Sequence, residues 1–115
     1  MTEGRYTIPE IVKEGIELYS TGGYDEAFAL LMQEPGDKYA QYYIGMMYEY
    51  GTGAEQSDEK AAEWYRKAVD KRLPEAMRAL AVFYAEGRGV EQDLKTAKML
   101  RSVSNIARHP DDERL

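Results

Sequence analysis

Residues 40–76, AQYYIGMMYEYGTGAEQSDEKAAEWYRKAVDKRLPEA, decide the fold, because their pattern begins again 36 positions later. Tyr48, Gly51, Gly53, Gln56 and Ala61 recur as Tyr84, Gly87, Gly89, Gln92 and Ala97, and Ala40 and Ile44 recur as Ala76 and Leu80. A repeat of roughly 20 to 50 residues marks a solenoid, in which one unit cannot bury its own apolar face and leans on its neighbour. Such a scaffold works through a surface and not through a fixed catalytic pocket.

Each unit reads as helix, glycine turn, helix. Tyr39, Tyr43, Met47 and Tyr50 fall on one line and Ala40, Ile44 and Tyr48 on another, at spacings of three and four, which is helical periodicity. Gly51-Thr52-Gly53 ends that helix, since glycine tolerates the positive φ of a tight reversal, and Gly87-Arg88-Gly89 does the same one unit later. A second helix is predicted from Asp58 to Lys71, with Ser57 as N-cap and Asp58 and Glu59 where the helix dipole favours anions. Pro74 opens the next helix and Asp93 caps the last. The last helix is expected to bury Leu94, Ala97, Met99, Leu100, Val103 and Ile106. Its opposite side, with Lys95, Lys98, Arg101, Ser102, Asn105 and Arg108, suits a solenoid end. Near the N-terminus, Thr7-Ile8-Pro9-Glu10 has capping-box spacing and is expected to start the first helix.

These residues resemble the Sel1-like repeat, a relative of the tetratricopeptide repeat with the pattern A-x3-LG-x2-Y-x2-G-x-G followed by K-A-x2-WY-x-K-A. Ile44-Gly45, Tyr48, Gly51, Gly53, Lys60-Ala61, Trp64-Tyr65 and Lys67-Ala68 fill it, with Ala54 where valine and Ser57 where aspartate are usual. The last unit keeps Ala76, Leu80, Tyr84, Gly87, Gly89-Val90, Gln92-Asp93 and Ala97 but has Ala81 for glycine and Leu100-Arg101 for Trp-Tyr, the decay of a terminal unit. Leu18-Tyr19 and Gly22-Gly23-Tyr24-Asp25-Glu26-Ala27 look like a plain tetratricopeptide unit whose second helix is about two residues shorter. The resemblance covers residues 8–106. It implies an all-α fold, a short right-handed α-solenoid of about three helix-turn-helix hairpins, forming one domain over residues 1–108. The charged stretch 109–115 is expected to be a disordered tail.

Composition fits that picture. A chain of 115 residues is one domain, and three helical hairpins are about the minimum that encloses a continuous core. Ten tyrosines and one tryptophan against two phenylalanines place many aromatics at core edges, with their hydroxyls wet. There is no cysteine, hence no disulfide framework and no thiolate metal site. The polar N-terminal stretch has no apolar targeting core and no run approaches the roughly 18 apolar residues of a membrane span, so a cytoplasmic location is expected unless a signal peptide has been removed.

The net charge of −6 and pI of 4.8 argue against nucleic acid as a partner, since phosphate contacts need clustered cations. Arg66, Lys67, Lys71, Arg72 and Arg78 are read as a solvated face. The single histidine, His109, lies before a proline in the tail, so neither a histidine triad nor a histidine metal cluster can be assembled. Asp58-Glu59 and Asp111-Asp112 are adjacent pairs that do not converge on a cation, and the glycine turns lack the GK[ST] ending of a phosphate loop. The chain is therefore expected to be no enzyme and to carry no cofactor and no metal.

In tetratricopeptide relatives the first helix of each hairpin lines the concave surface. Carried over, the resemblance places Tyr39, Tyr42, Met46, Glu49 and Tyr50 in a groove, with Glu75, Arg78, Val82, Ala85 and Glu86 from the last unit and Val12, Ile16, Tyr19 and Ser20 from the first. Tyr43, Met47, Tyr48, Trp64, Tyr65 and Tyr84 are read as core, while Tyr42, Met46 and Tyr50 stay open between core and surface. An aromatic, methionine-rich groove flanked by Arg78 and carboxylates suits a peptide or an amphipathic helix of a partner protein. The alternative is a small acidic inhibitor of the immunity-protein kind, steered by charge onto a toxic enzyme. A homo-oligomer is also expected to be possible, because so short an array leaves an apolar flank at an end.

Overall fold

The computed structural model describes residues 5–107, so Arg108, His109 and the tail predicted over 109–115 lie outside the described residues. Among these residues the regular elements are six α-helices: α1 (Glu10–Ser20), α2 (Tyr24–Leu31), α3 (Lys38–Tyr50), α4 (Asp58–Asp70), α5 (Pro74–Glu86) and α6 (Leu94–Ile106). They form three hairpins, α1/α2, α3/α4 and α5/α6. α3 packs back on the first hairpin and α5 on α4, giving an all-α solenoid.

The ends of the helices follow from local chemistry. Ser57 Oγ accepts the Lys60 N–H at 3.1 Å, and the Asp93 carboxylate accepts the Thr96 N–H at 3.1 Å and its hydroxyl at 2.7 Å. Asp37 caps α3 by accepting the N–H groups of Tyr39 and Ala40 at 3.0 Å each, and the Tyr6 hydroxyl donates to the same carboxylate. Gly51 and Gly87 end α3 and α5 in the left-handed region, both at φ 69°. Pro74 occupies the first turn of α5, where its missing N–H is no loss.

Two expectations about the first hairpin are corrected. The capping box at Thr7 does not form. Pro9 is itself the N-cap, and its carbonyl accepts the N–H groups of Val12 and Lys13 at 3.0 Å with no side-chain cap. α2 has 8 residues against 13 in α4, which is five shorter rather than two, because the chain turns at Met32 and must still reach the Asp37 cap.

Glycines let the helices approach. A Cβ on Gly15 would sit 2.8 Å from Leu31 Cδ2, and one on Gly45 would sit 2.7 Å from two carbons of the Tyr65 ring. The α1/α2 and α3/α4 contacts are therefore set by a side chain lying directly on a helix backbone. The core runs from Val12, Leu31, Ile44 and Met47 through Ala68 and Leu73 to Tyr65, Leu80 and Phe83.

The apolar face predicted for the last helix is also corrected. α6 buries Ala97, Leu100 and Ser104, while Leu94, Met99, Val103 and Ile106 are all exposed. Its buried line lies on the same register as Ala61, Trp64 and Ala68 of α4, and α5 covers only that side. Ser104 is accommodated because its hydroxyl donates to the Arg101 carbonyl at 2.7 Å.

Candidate functional site

Aromatic side chains from all three hairpins meet at the junctions between helices, and the structure joins them into a row. Ring centroids are 5.3 Å apart for Tyr24 and Tyr19, 5.6 Å for Tyr19 and Tyr43, and 5.5 Å for Tyr43 and Tyr42. The row continues from Tyr42 to Tyr65 at 5.9 Å and from Tyr65 to Phe83 at 5.6 Å, so it crosses all three hairpins. Several of these pairs are edge-to-face, the geometry aromatic quadrupoles favour, worth about 0.5–1.5 kcal/mol each beyond the area buried.

Three hydroxyls of the row, those of Tyr42, Tyr43 and Tyr65, are held neutral. Burial, and then the Glu49 carboxylate that accepts the Tyr65 hydroxyl at 2.6 Å, push the Tyr65 pKa far above the ordinary tyrosine range. Burial followed by the nearby Glu75 carboxylate raises Tyr42 and Tyr43 in the same direction. All three remain hydrogen-bond donors at physiological pH.

The predicted groove residues divide into three groups. Tyr39 is 7% exposed and Val12 fully buried, and both belong to the core beneath the surface. The Glu49 side chain is 11% exposed and is held between the Tyr65 hydroxyl and Arg88, whose guanidinium lies 3.2 Å away. Ile16, Tyr19, Tyr42, Met46, Glu75 and Ala85 are half-buried. Tyr50 is 64% exposed and Val82 39%, and Ser20, Arg78 and Glu86 are exposed too. The surface left available on α3 is thus the exposed Tyr50 with the half-buried Tyr42, Tyr43 and Met46, and on α5 Arg78 and Val82 are exposed.

Of the residues expected in the core, Met47 and Tyr65 are buried, whereas Tyr43, Tyr48, Trp64 and Tyr84 are half-buried. Three of these carry a cation over the ring: Lys60 over Tyr48 at 5.6 Å, Lys67 over Trp64 at 5.3 Å and Arg66 over Tyr84 at 5.8 Å. Arg66 and Lys67 therefore cover aromatic faces as well as facing solvent.

Two features have no counterpart in the sequence reading. Arg88, in the glycine turn of the last hairpin, lies over the Phe83 ring at 4.4 Å and bonds Asp58 at 3.1 Å as well as Glu49, clasping two hairpins. Lys38 is buried with its ammonium 4.4 Å from the Tyr6 ring centroid, beside a hollow lined by Tyr6, Gly36, Asp37 and Lys71. Among the described residues no group of three or more His, Cys, Asp or Glu side chains converges to hold a metal ion, and no helix is long and apolar enough to cross a membrane.

A family model described as the Sel1 repeat matches residues 38–72 and 74–100. The chain is 40% identical over 73 residues to the ERAD-associated E3 ubiquitin-protein ligase component HRD3A of Arabidopsis thaliana, covering 61% of this chain and 11% of that protein. It is 33% identical over 76 residues to the alginate biosynthesis protein AlgK of Azotobacter vinelandii, covering 66% of this chain and 16% of that one. Among solved structures, a Sel1 repeat protein from Oxalobacter formigenes superposes with a TM-score of 0.78 at 32% identity, over 83% of this chain and 40% of that one. The protective antigen c5321 of uropathogenic Escherichia coli, described as displaying an SLR fold, superposes with a TM-score of 0.77 at 22% identity, over 84% of this chain and 22% of that one. The chain thus spans only about a tenth to a sixth of the length of these curated relatives.

Proposed function

The chain belongs to the Sel1 repeat family, whose repeats mediate protein–protein interaction, and on that premise we propose that it holds a peptide or helix of a partner protein along α3 and α5. The observation that carries this reading is the exposure of Tyr50 and Arg78 beside the half-buried Tyr42, on whose hydroxyl both act. Exposed aromatic side chains on a repeat scaffold suit a contact site. Tyrosines offer large contact area with few rotors to order, methionine adapts to irregular partners, and Arg78 at the rim supplies a cation for a partner carboxylate. That HRD3A is named a component of a ligase assembly supports the same adaptor role.

The test needs a variant that stays folded. The Tyr42 ring packs on Tyr65, and Met46 packs against the core around Leu80, so alanine at either position lowers stability as well as removing contact area. Tyr50→Ala removes only an exposed side chain. Affinity capture from lysate of the source organism is compared for wild type and this variant, with circular dichroism confirming equal helicity. A partner retained by wild type and lost by the variant supports the surface. A partner held equally by both overturns it.

A further inference from the structure

The 36-residue register identifies which side chains one hairpin presents to the next. Tyr42, Met46, Ala62, Tyr65 and Val69 pack into the cluster shared with α5, so they form the face on which the last hairpin stacks. Their counterparts in the last hairpin are Arg78, Val82, Lys98, Arg101 and Asn105, and every one is exposed. α6 carries three cations and no carboxylate. The C-terminal end of the solenoid is thus a stacking face with a cationic surface, with Val82 at its apolar centre.

The opposite end has the reverse chemistry. Tyr19 of α1 faces α3, where its ring meets Tyr43 at 5.6 Å. At 100° per residue, Glu10, Glu14 and Glu17 project from the other side of α1, and all three are exposed. With Ile11 and Leu30 they line the groove between α1 and α2, where the one cation, Lys13, pairs with Glu10 at 3.5 Å. Carboxylates around an apolar floor therefore face outward at the N-terminal end.

From this complementarity we infer that successive copies of the chain stack end to end, the α5/α6 face of one docking on the α1/α2 groove of the next. Each molecule carries both faces, so a second copy supplies the matching charge, where an ordinary apolar repeat stacked on Lys98 and Arg101 would strand two cations. The contact is heterologous. It extends into a row instead of closing as a symmetric dimer, and assembly grows with concentration.

Sedimentation equilibrium on the full chain tests this. Wild type is expected to rise from the 13.1 kDa of one chain past the mass of a dimer as concentration increases. Lys98→Glu with Arg101→Glu, and separately Glu14→Lys with Glu17→Lys, each set like charges against each other and lower the association constant by at least about tenfold. An equimolar mixture of the two variants, and a single chain carrying all four changes, again present opposite charges and regain association. That recovery excludes loss of folding as the cause. The inference is overturned by a wild type that stays at the monomer mass, by single-end variants that associate like wild type through another surface, or by a mixture that remains monomeric.

Discussion

Replacing Gly45 by alanine drives a methyl group into the ring of Tyr65. The added Cβ would lie 2.7 Å from both Cδ1 and Cε1, well inside the roughly 3.5–4.0 Å at which carbon atoms rest. The ring cannot retreat. Tyr65 is 1% exposed, its faces and edges meet Tyr42 and Phe83, and its hydroxyl is anchored on Glu49. Two effects oppose each other. Alanine is better than glycine in a helix interior by about 0.8–1 kcal/mol, whereas overpacking a closed core costs about 1–3 kcal/mol. With the ring fixed at three points the upper part of that range applies, and the net loss is about 1–2 kcal/mol. For a domain of this size that lowers Tm by about 4–8 °C. Thermal and urea unfolding followed by circular dichroism measure it. In a Tyr65→Ala background the obstacle is gone, and the same Gly45→Ala change should stabilise by about 0.5–1 kcal/mol. A Gly45→Ala protein as stable as wild type, or a loss that persists without the ring, would refute the reasoning.

Three further outcomes follow from the same geometry. Gly53→Ala combines a φ of +82° with a Cβ 2.6 Å from the Tyr24 carbonyl oxygen, and urea unfolding should show a loss of about 3 kcal/mol, larger than for Gly45→Ala. Arg88→Met opens the clasp between hairpins and leaves Glu49 with Tyr65 alone, so stability should fall by about 1–2 kcal/mol, and added salt should narrow the gap to wild type. Burial raises the pKa values of Tyr42, Tyr43 and Tyr65 in the folded protein above the ordinary tyrosine value of about 10, so the stability they contribute is complete below pH 10 and is lost as pH rises through their folded pKa values. Spectrophotometric titration should show three hydroxyls ionising late, together with the loss of helicity. Ionisation of all tyrosines in one early step with the helices intact would contradict this.

The elements that could be read from residues alone are those fixed by local chemistry. Ser57, Asp93, Gly51 and Gly87 each satisfy or reverse the backbone within a few positions, so the ends of α3 to α6 follow from them. The first hairpin departs from the 36-residue register, and with it the signal for the eight-residue α2 and the Asp37 cap is weaker. The buried side of α6 is hidden from the sequence for a different reason. Its apolar residues fall on more than one side, and periodicity within one helix does not say which side meets α5. Comparison with α4 does, since Ala61 and Ala68 mark the buried line as Ala97 and Ser104. Arg88 could not be found this way at all. It pairs residues 30 and 39 positions back, and the middle unit has Thr52 at its place.

The departures of the last unit from the repeat are coordinated in space. Ala62, Tyr65 and Val69 face the next hairpin and are Lys98, Arg101 and Asn105 in α6, whereas the exposed Glu63, Lys67 and Asp70 are Met99, Val103 and Ile106. Loss of constraint at a terminal unit would scatter polar residues over both sets. Here the face toward the next hairpin changes from apolar to polar at Ala62, Tyr65 and Val69, and three outward positions change from charged to apolar, while Glu59 and Arg66 beside them stay polar as Lys95 and Ser102. Even the glycine follows, because Ala81 is allowed where Arg101 replaces the ring that forces Gly45. The end of this solenoid is therefore a surface in its own right. Its stacking face accepts carboxylates in place of a further apolar hairpin.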